Sequence, residues 1–523
     1  MMNQLKKLFI ALALCAPLTA AAQDITINEE NFPDENFRNY LLEQDYGKDG
    51  VITEAEIAGI TSIGVSSKNI SSLKGIEHFT ALTSLDCYNN QLTALDVSKN
   101  TALTTVECSI NQLTALDVST NTALTLLSCS NNQLTALDVS NNTALTVLSC
   151  FNNQLTALDV SNNTALTVLY CIYNQLTKLD VSNNTALTSL DCSSNQLTAL
   201  DVSKNTALTN LMCYKNQLTV LDVSGCTELT DLGCFSNQLT ALDVSKNTAL
   251  TTLDCYSNQL TALDASNNTV LTRLDCLGNQ LTALDVSNNT ALTLLSCSNN
   301  QLTALDVSNN TALTRLDCDD NQFTELDVSN NTKLTFLDCA NNQLTTLDVS
   351  SNTALTSLDC AGNQLTALDV SNNTALTTLD CYGNQLTALD VSNNAAQTSL
   401  YCYGNQIKGE AMDALVSSLP ETTSGRLYVY SETPDHNEGN IITKSQVAAA
   451  KAKGWTSYYW GLDDKWGWYN WFEYEGSDDT ATSIALPEIE NGTAVVYTLQ
   501  GQKVTTPQKG GIYIVNGKKV VVK

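Results

Sequence analysis

Residues 45–56 read Asp-Tyr-Gly-Lys-Asp-Gly-Val-Ile-Thr-Glu-Ala-Glu. They nearly fit D-x-[DN]-x-[DN]-G-x5-E, the loop in which hard oxygen ligands surround calcium. Asp45, Asp49 and Glu56 would supply carboxylates and Val51 its carbonyl, while Gly50 permits the sharp turn. Gly47 stands where a further oxygen is expected, and the loop is single, so any calcium binding should be weak. The alternative is a helix-turn-helix cap that keeps the shape without the ion.

Other chemistry is narrowly bounded. The chain has 523 residues and only two histidines, His78 and His436, so a multi-histidine metal site is excluded. A Ser-His-Asp or Cys-His centre would need one of these two. Both lie outside the repeated body and no catalytic motif surrounds either, so an enzyme is not expected. With 54 acidic against 25 basic residues the formal charge is −29. Phosphate binding needs clustered Lys and Arg, which makes nucleic acid and anionic membrane surfaces poor partners.

The elements that position these residues follow from a repeat. Cysteines recur every 21 residues from Cys87 to Cys402, sixteen in one register. A fixed period of this size marks a solenoid. In the first unit, Leu85 and Cys87 alternate with Ser84, Asp86 and Tyr88, the period of two of a strand. Leu and Cys should point inward and the other three outward. The second half of the unit, Leu92-Thr-Ala-Leu95-Asp-Val97, again alternates and predicts a short strand or extended segment. The unit is too short for a convex helix.

The unit Leu82-x-x-Leu85-x-Cys87-x-x-Asn90-x-Leu92 resembles the leucine-rich repeat, with Cys in the third apolar slot. Its cysteine column is similar to the cysteine-ladder repeats of internalin-like bacterial surface proteins. The resemblance implies a β-rich solenoid of about 16 coils, in which the recurrent Asn turns inward and bonds the backbone of the bend. The expected organisation is a signal peptide (1–22), an N-terminal cap with the calcium-like loop (23–81), the solenoid (82–407), an α/β C-terminal cap (408–475), a linker (476–492) and a small all-β tail (493–523).

Within the signal peptide, Lys6 and Lys7 precede a short apolar run, and Ala20-Ala21-Ala22 suits a signal peptidase. The chain should then be exported and not inserted in a membrane. In the C-terminal cap, helices are predicted at 410–419 and 443–453, and strands at 426–430 and 455–460. This flank resembles that of repeat proteins from Bacteroidetes-type bacteria. The alternating strands of the tail, ending in Lys-Lys-Val-Val-Val-Lys523, resemble the sorting domain of type IX secretion, which implies that machinery as a partner. A β-domain packed on the solenoid is the alternative.

Three repeated features have competing readings. The cysteines could bridge or bind zinc, but stacked side chains pointing one way favour a reduced, packed column. Cys226 stands outside it, in a bend where other units carry Asn. Asp96 recurs fifteen times, to Asp390. Like charges stacked coil on coil repel, so each Asp should accept hydrogen bonds from its own bend, rather than join others in a calcium stripe. All five tryptophans fall between Trp455 and Trp471. They read as a cover for the open end, with a sugar platform as the rival.

Variation concentrates in the outward strand positions. Val147, Phe151, Val168, Tyr170, Ile172, Met212, Tyr214 and Phe235 make one half apolar, and are the candidate ligand-binding residues. Asp254, Asp275, Asp317, Asp319, Asp338, Asp359 and Asp380, with Arg273 and Arg315, make the other half charged. Exposed apolar patches mark interaction sites. The sequence therefore points to a secreted or cell-surface repeat protein that binds a protein or glycan on its concave face, as in adhesion. A structural spacer without a ligand is the alternative.

Overall fold

A computed structural model describes residues 24–433, 436–463 and 468–478, together with four short strands beyond them. The expected signal peptide lies outside the described residues, as do Trp466 and most of the expected linker. The chain forms two compact units, Met1–Ala207 and Leu208–Lys523.

In the first unit a hairpin-like pair, β1 (Ile25–Thr26) with β2 (Val51–Ile52), brackets helix α1 (Glu35–Glu43), and helix α2 (Glu54–Gly59) follows. Asp34 caps α1, accepting from the Phe37 N–H at 3.0 Å. Its second oxygen accepts from the Ser71 N–H and hydroxyl at 2.8 and 2.7 Å, which ties the helix to the coil behind it. Phe32 packs edge-on to Phe37 and against Phe79, centroids 5.7 and 6.2 Å apart. This buried cluster seals the end of the solenoid, as a stack of repeats requires.

The coil strands are three residues long. They begin one coil earlier than the repeat predicts, with β3 (Ser62–Gly64) ahead of β4 (Ser84–Asp86), and each pairs in parallel with the next as far as β9 (Ser189–Asp191). Leu85 and Cys87 are fully buried, as are their equivalents in every coil of this unit, with Ile63 and Val65 in the first coil and Val106 for Leu in the third. The convex segment is extended rather than a ladder of strands, with one isolated bridge, Asp96 to Asp117.

Asn90 turns inward as expected. Its amide donates to the carbonyls of Val65, Cys87 and Tyr88 at 2.8–3.2 Å, and its oxygen accepts from the Ile70 N–H at 2.9 Å. The residue before it, Asn89, has φ 52°, and its equivalents Ile110, Asn131, Asn152, Tyr173 and Ser194 all share that left-handed turn. A β-branched residue resists this conformation; Ile110 adopts it at φ 53° because the adjoining Asn fixes the bend.

The second unit repeats this coil from β10 (Asn210–Met212) to β19 (Ser399–Tyr401). The C-terminal cap follows with α3 (Glu410–Ser418), β20 (Gly425–Ser431), α4 (Lys444–Ala452), β21 (Trp455–Asp463) and β22 (Trp468–Glu473). Strands β20 and β21 extend the parallel sheet, and β22 returns antiparallel. The sequence gives little sign of this last strand, because charged residues interrupt the aromatic run at Asp463-Asp464-Lys465. Trp455 is buried and its ring N–H donates to the Pro420 carbonyl at 2.7 Å. Trp471 stands edge-on to Tyr403 and Tyr428, centroids 5.2 and 4.6 Å away. Beyond residue 495, Val496–Thr498, Lys503–Val504, Ile512–Val515 and Lys518–Val521 form a four-stranded antiparallel sheet.

Candidate functional site

The calcium-like loop keeps its helix-loop-helix shape but uses its oxygens internally. Glu56 accepts from the Thr53 N–H and hydroxyl, both at 2.8 Å, completing a capping box. Asp49 accepts from the Val51 N–H at 3.0 Å. Asp45 is almost fully exposed and turns to Lys48, 2.5 Å away. Val51 lies in β2. Among the described residues no group of three or more His, Cys, Asp or Glu is arranged to hold a metal ion. Asp45, Asp49, Val51 and Glu56 as placed therefore do not fit the calcium cage that their spacing suggests. Millimolar calcium is expected to leave the melting temperature unchanged. A calcium-dependent rise that Asp49→Ala abolishes would show that the loop rearranges around the ion.

Seventeen cysteines, including Cys226, are buried and unbridged. Burial pushes the Cys171 and Cys255 thiols far above the ordinary range. They are packing groups, since the thiolate is the reactive form. On the convex side each of the fifteen Asp side chains accepts from the Ser N–H two residues on, for example Asp96 from Ser98 and Asp243 from Ser245 at 2.9 Å. These turn bonds hold the Asp96 and Asp243 carboxyls below their usual range. The acidic column is coil chemistry.

The eight candidate binding residues divide between the two units, and all are half-buried rather than exposed. In the first, Val147 and Val168 are register partners, and Tyr170 pairs with Ser149. Leu126 precedes them in the same column, half-buried like them, although the sequence analysis does not single it out. Phe151 and Ile172 follow the next inward Cys.

In the second unit, Tyr214 stacks on Phe235 with centroids 4.3 Å apart and planes 6° off parallel. Phe235 stacks in turn on Tyr256 at 4.1 Å and 10°. Tyr256 escapes the sequence analysis because it adjoins the first acidic position, Asp254, although it stands 21 residues after Phe235. Met212 lies beside this ladder over Gly233, where a Cβ would come 2.5 Å from its sulfur. The absence of a side chain at Gly233 leaves the room that the Met212 sulfur occupies.

The charged half is organised differently. Arg273 bonds Asp254 at 2.7 Å and Asp275 at 3.2 Å. Arg315 grips both oxygens of Asp317 at 2.6 and 2.7 Å, and its guanidinium lies 3.7 Å from the centroid of Phe336. Asp338, Asp359 and Asp380 are register partners on successive strands. Burial and then the neighbouring carboxylate push Asp338 up to about 7. Asp359 and Asp380 are raised as well, burial again leading.

His78 packs edge-on to Phe32. In the C-terminal cap, His436 Nδ1 lies 2.6 Å from the Ser431 hydroxyl and 2.7 Å from that of Thr433. Both hydroxyl residues are buried, and the ring stands edge-on to Tyr403. Sequence spacing gave no sign of this cluster, which braces the cap loop.

Comparison with known proteins agrees with this architecture. Residues 332–373 and 353–394 match the family described as Leucine Rich repeats (2 copies). Seventy residues are 44% identical to Internalin J of Listeria monocytogenes serotype 4b (strain F2365), covering 13% of this chain and 8% of that protein. The chain thus spans less than a tenth of the length of this curated relative. Among solved structures, the functional domain of InlJ from Listeria monocytogenes, which includes a cysteine ladder, is 43% identical. That likeness covers 68% of this chain and 79% of the InlJ domain, with a TM-score of 0.64. The internalin InlF from the same species is 26% identical over 66% of this chain and 99% of its own, with a TM-score of 0.55. With its 21-residue coils and unbroken cysteine column, the chain belongs to the leucine-rich repeat proteins of internalin type.

Proposed function

We propose that the outward strand positions form a binding surface for a protein or glycan at the cell exterior, with Tyr214, Phe235 and Tyr256 as its anchors. The observation that carries this reading is the stack of three half-buried rings on consecutive coils. The coil itself has no need of them. Ser109, Ser130, Ser298, Ala340 and Ala361 fill the same position elsewhere. Aromatic side chains concentrate interface energy because they offer large area with little conformational entropy to lose. The likeness to the functional domain of InlJ supports a role in recognition rather than catalysis. Export by the N-terminal leader, display at the outer surface through a type IX sorting tail, an origin in Bacteroidetes-type bacteria and a part in adhesion belong to the same proposal. They rest on the sequence resemblances. Among the described residues no helix is long and apolar enough to cross a membrane.

The test is capture of immobilised extracellular-matrix proteins and a glycan array by the chain and by Tyr214→Ala, Phe235→Ala, Tyr256→Ala combined. Truncating interface anchors costs about 2 kcal/mol or more each, so the triple variant should lose capture while its melting temperature stays near that of the parent. Undiminished capture by the folded variant would refute the assignment. A spacer without a ligand would show no selective capture by either protein.

A further inference from the structure

Three neighbouring coils set nine outward side chains in a grid. The pairing places Leu294 between Arg273 and Arg315, and Ser296 between Asp275 and Asp317. The next column reads Leu277, Ser298, Asp319. The middle coil thus carries two hydroxymethyl groups where its neighbours carry longer side chains. A cavity of about 280 Å³ opens there. Ser296 and Ser298, 5% and 1% exposed, are buried at this place.

We propose that this notch is a pocket for one basic side chain, lysine or arginine, presented by a protein partner. The inference rests on the binding function proposed above and gives it a partner chemistry. Asp275, Asp317 and Asp319 line the notch, and Asp254 stands beside it on Arg273. Two guanidiniums oppose these four carboxylates, and both are committed: Arg273 to Asp254 and Asp275, Arg315 to both oxygens of Asp317 and the face of Phe336. Asp319 has the Ser298 hydroxyl as its partner. Four negative charges against two positive leave two in excess.

Leu277 and Leu294 add aliphatic wall. A ligand group that matches has an apolar stem and a cationic head, as Lys and Arg do. An anion would have to displace carboxylates from both arginines. Burial raises the carboxyls of Asp275 and Asp317 even though a guanidinium touches each, so a further cation in the notch would favour their charged forms.

Hexa-arginine is the probe, with hexa-glutamate as its control, titrated by fluorescence anisotropy against the full chain. Salt near 150 mM screens diffuse attraction over about 8 Å. Ser296→Leu fills the notch without altering charge. The fold tolerates large groups at this position, where other coils carry Tyr170, Met212 and Tyr401. It should weaken hexa-arginine binding about tenfold or more, as should Asp319→Ala. Asp243→Asn, which removes a full charge on the convex side outside the pocket, should change it less than about twofold. The combined Tyr214, Phe235 and Tyr256 variant should keep the affinity, so this test stands apart from the capture test above. No hexa-arginine binding, equal binding of hexa-glutamate, or an undiminished affinity in Ser296→Leu would each overturn the proposal.

Discussion

Asn258→Ala should destabilise its coil by about 2–3 kcal/mol. The Asn258 oxygen accepts from the Leu239 N–H of the preceding coil at 3.0 Å. Its amide donates to the carbonyls of Cys234 and Cys255 at 3.1 and 3.0 Å, with a longer contact to Tyr256 at 3.4 Å. One side chain therefore joins two coils and closes the left-handed turn at Ser257, φ 53°. Alanine leaves the buried Leu239 N–H without its partner, which costs about 1–3 kcal/mol, while the Cys234 and Cys255 carbonyls each lose one of two donors and keep those of Asn237 at 3.0 Å and Asn279 at 3.2 Å. Because repeats are stabilised by their neighbours, the damage should be local first. Hydrogen exchange at the Leu239 amide should accelerate before the urea midpoint collapses. A loss below about 1 kcal/mol, no more than an average hydrogen bond, would mean that water replaces the side chain.

The second large effect is a fall in stability as pH rises from about 5 to about 8, set by the concave acidic column. Asp338, Asp359 and Asp380 face one another along paired strands. On one side lies Asp317 with Arg315, and on the other Tyr401. Asp319 adds further negative charge. The three carboxyls are raised by burial and by neighbouring carboxylates, Asp338 to about 7. Below the ordinary carboxyl range, near about 4, folded and unfolded chains are both protonated and the stabilisation is fully present. Between that range and the raised values the folded chain holds protons that the unfolded chain releases, so stability drops with each step in pH. Above the raised values the loss is complete. A tenfold change in proton affinity corresponds to about 1.4 kcal/mol, so the column should cost a few kcal/mol after allowance for solvent at its exposed edges. Convex carboxyls such as Asp243 and Asp264 have the opposite sign and act only in acid, because turn bonds lower them. Thermal melts should therefore show a falling melting temperature from about pH 5 to about pH 8, and Asp359→Asn should flatten the slope. A melting temperature that is constant or rises over that window would exclude the effect.

The two columns also show where sequence and structure part. The period, the inward Leu, Cys and Asn, the Asp-to-Ser turn bonds and the capping helices were all legible in the residues. Each depends on contacts within a coil or on a neighbour at a fixed offset of 21. A strict repeat turns such long-range contacts into a local pattern, and nearest-neighbour packing then decides the fold. The left-handed position before each Asn was not legible. Asn89, Ile110, Tyr173, Lys215 and Gly362 share no chemistry, only a turn imposed by the Asn that follows.

What the three-dimensional arrangement alone decided is how outward side chains combine. Tyr214, Phe235 and Tyr256 became a ladder because their rings lie parallel within about one coil spacing. Arg315 left the general acidic field by gripping Asp317 and covering Phe336. Of the calcium-like residues Asp45, Asp49 and Glu56, two have carboxylates that accept from backbone N–H groups of the cap, Asp49 from Val51 and Glu56 from Thr53. The order of residues determines which groups are offered. Their directions, and the competing partners within hydrogen-bonding distance, decide which are used.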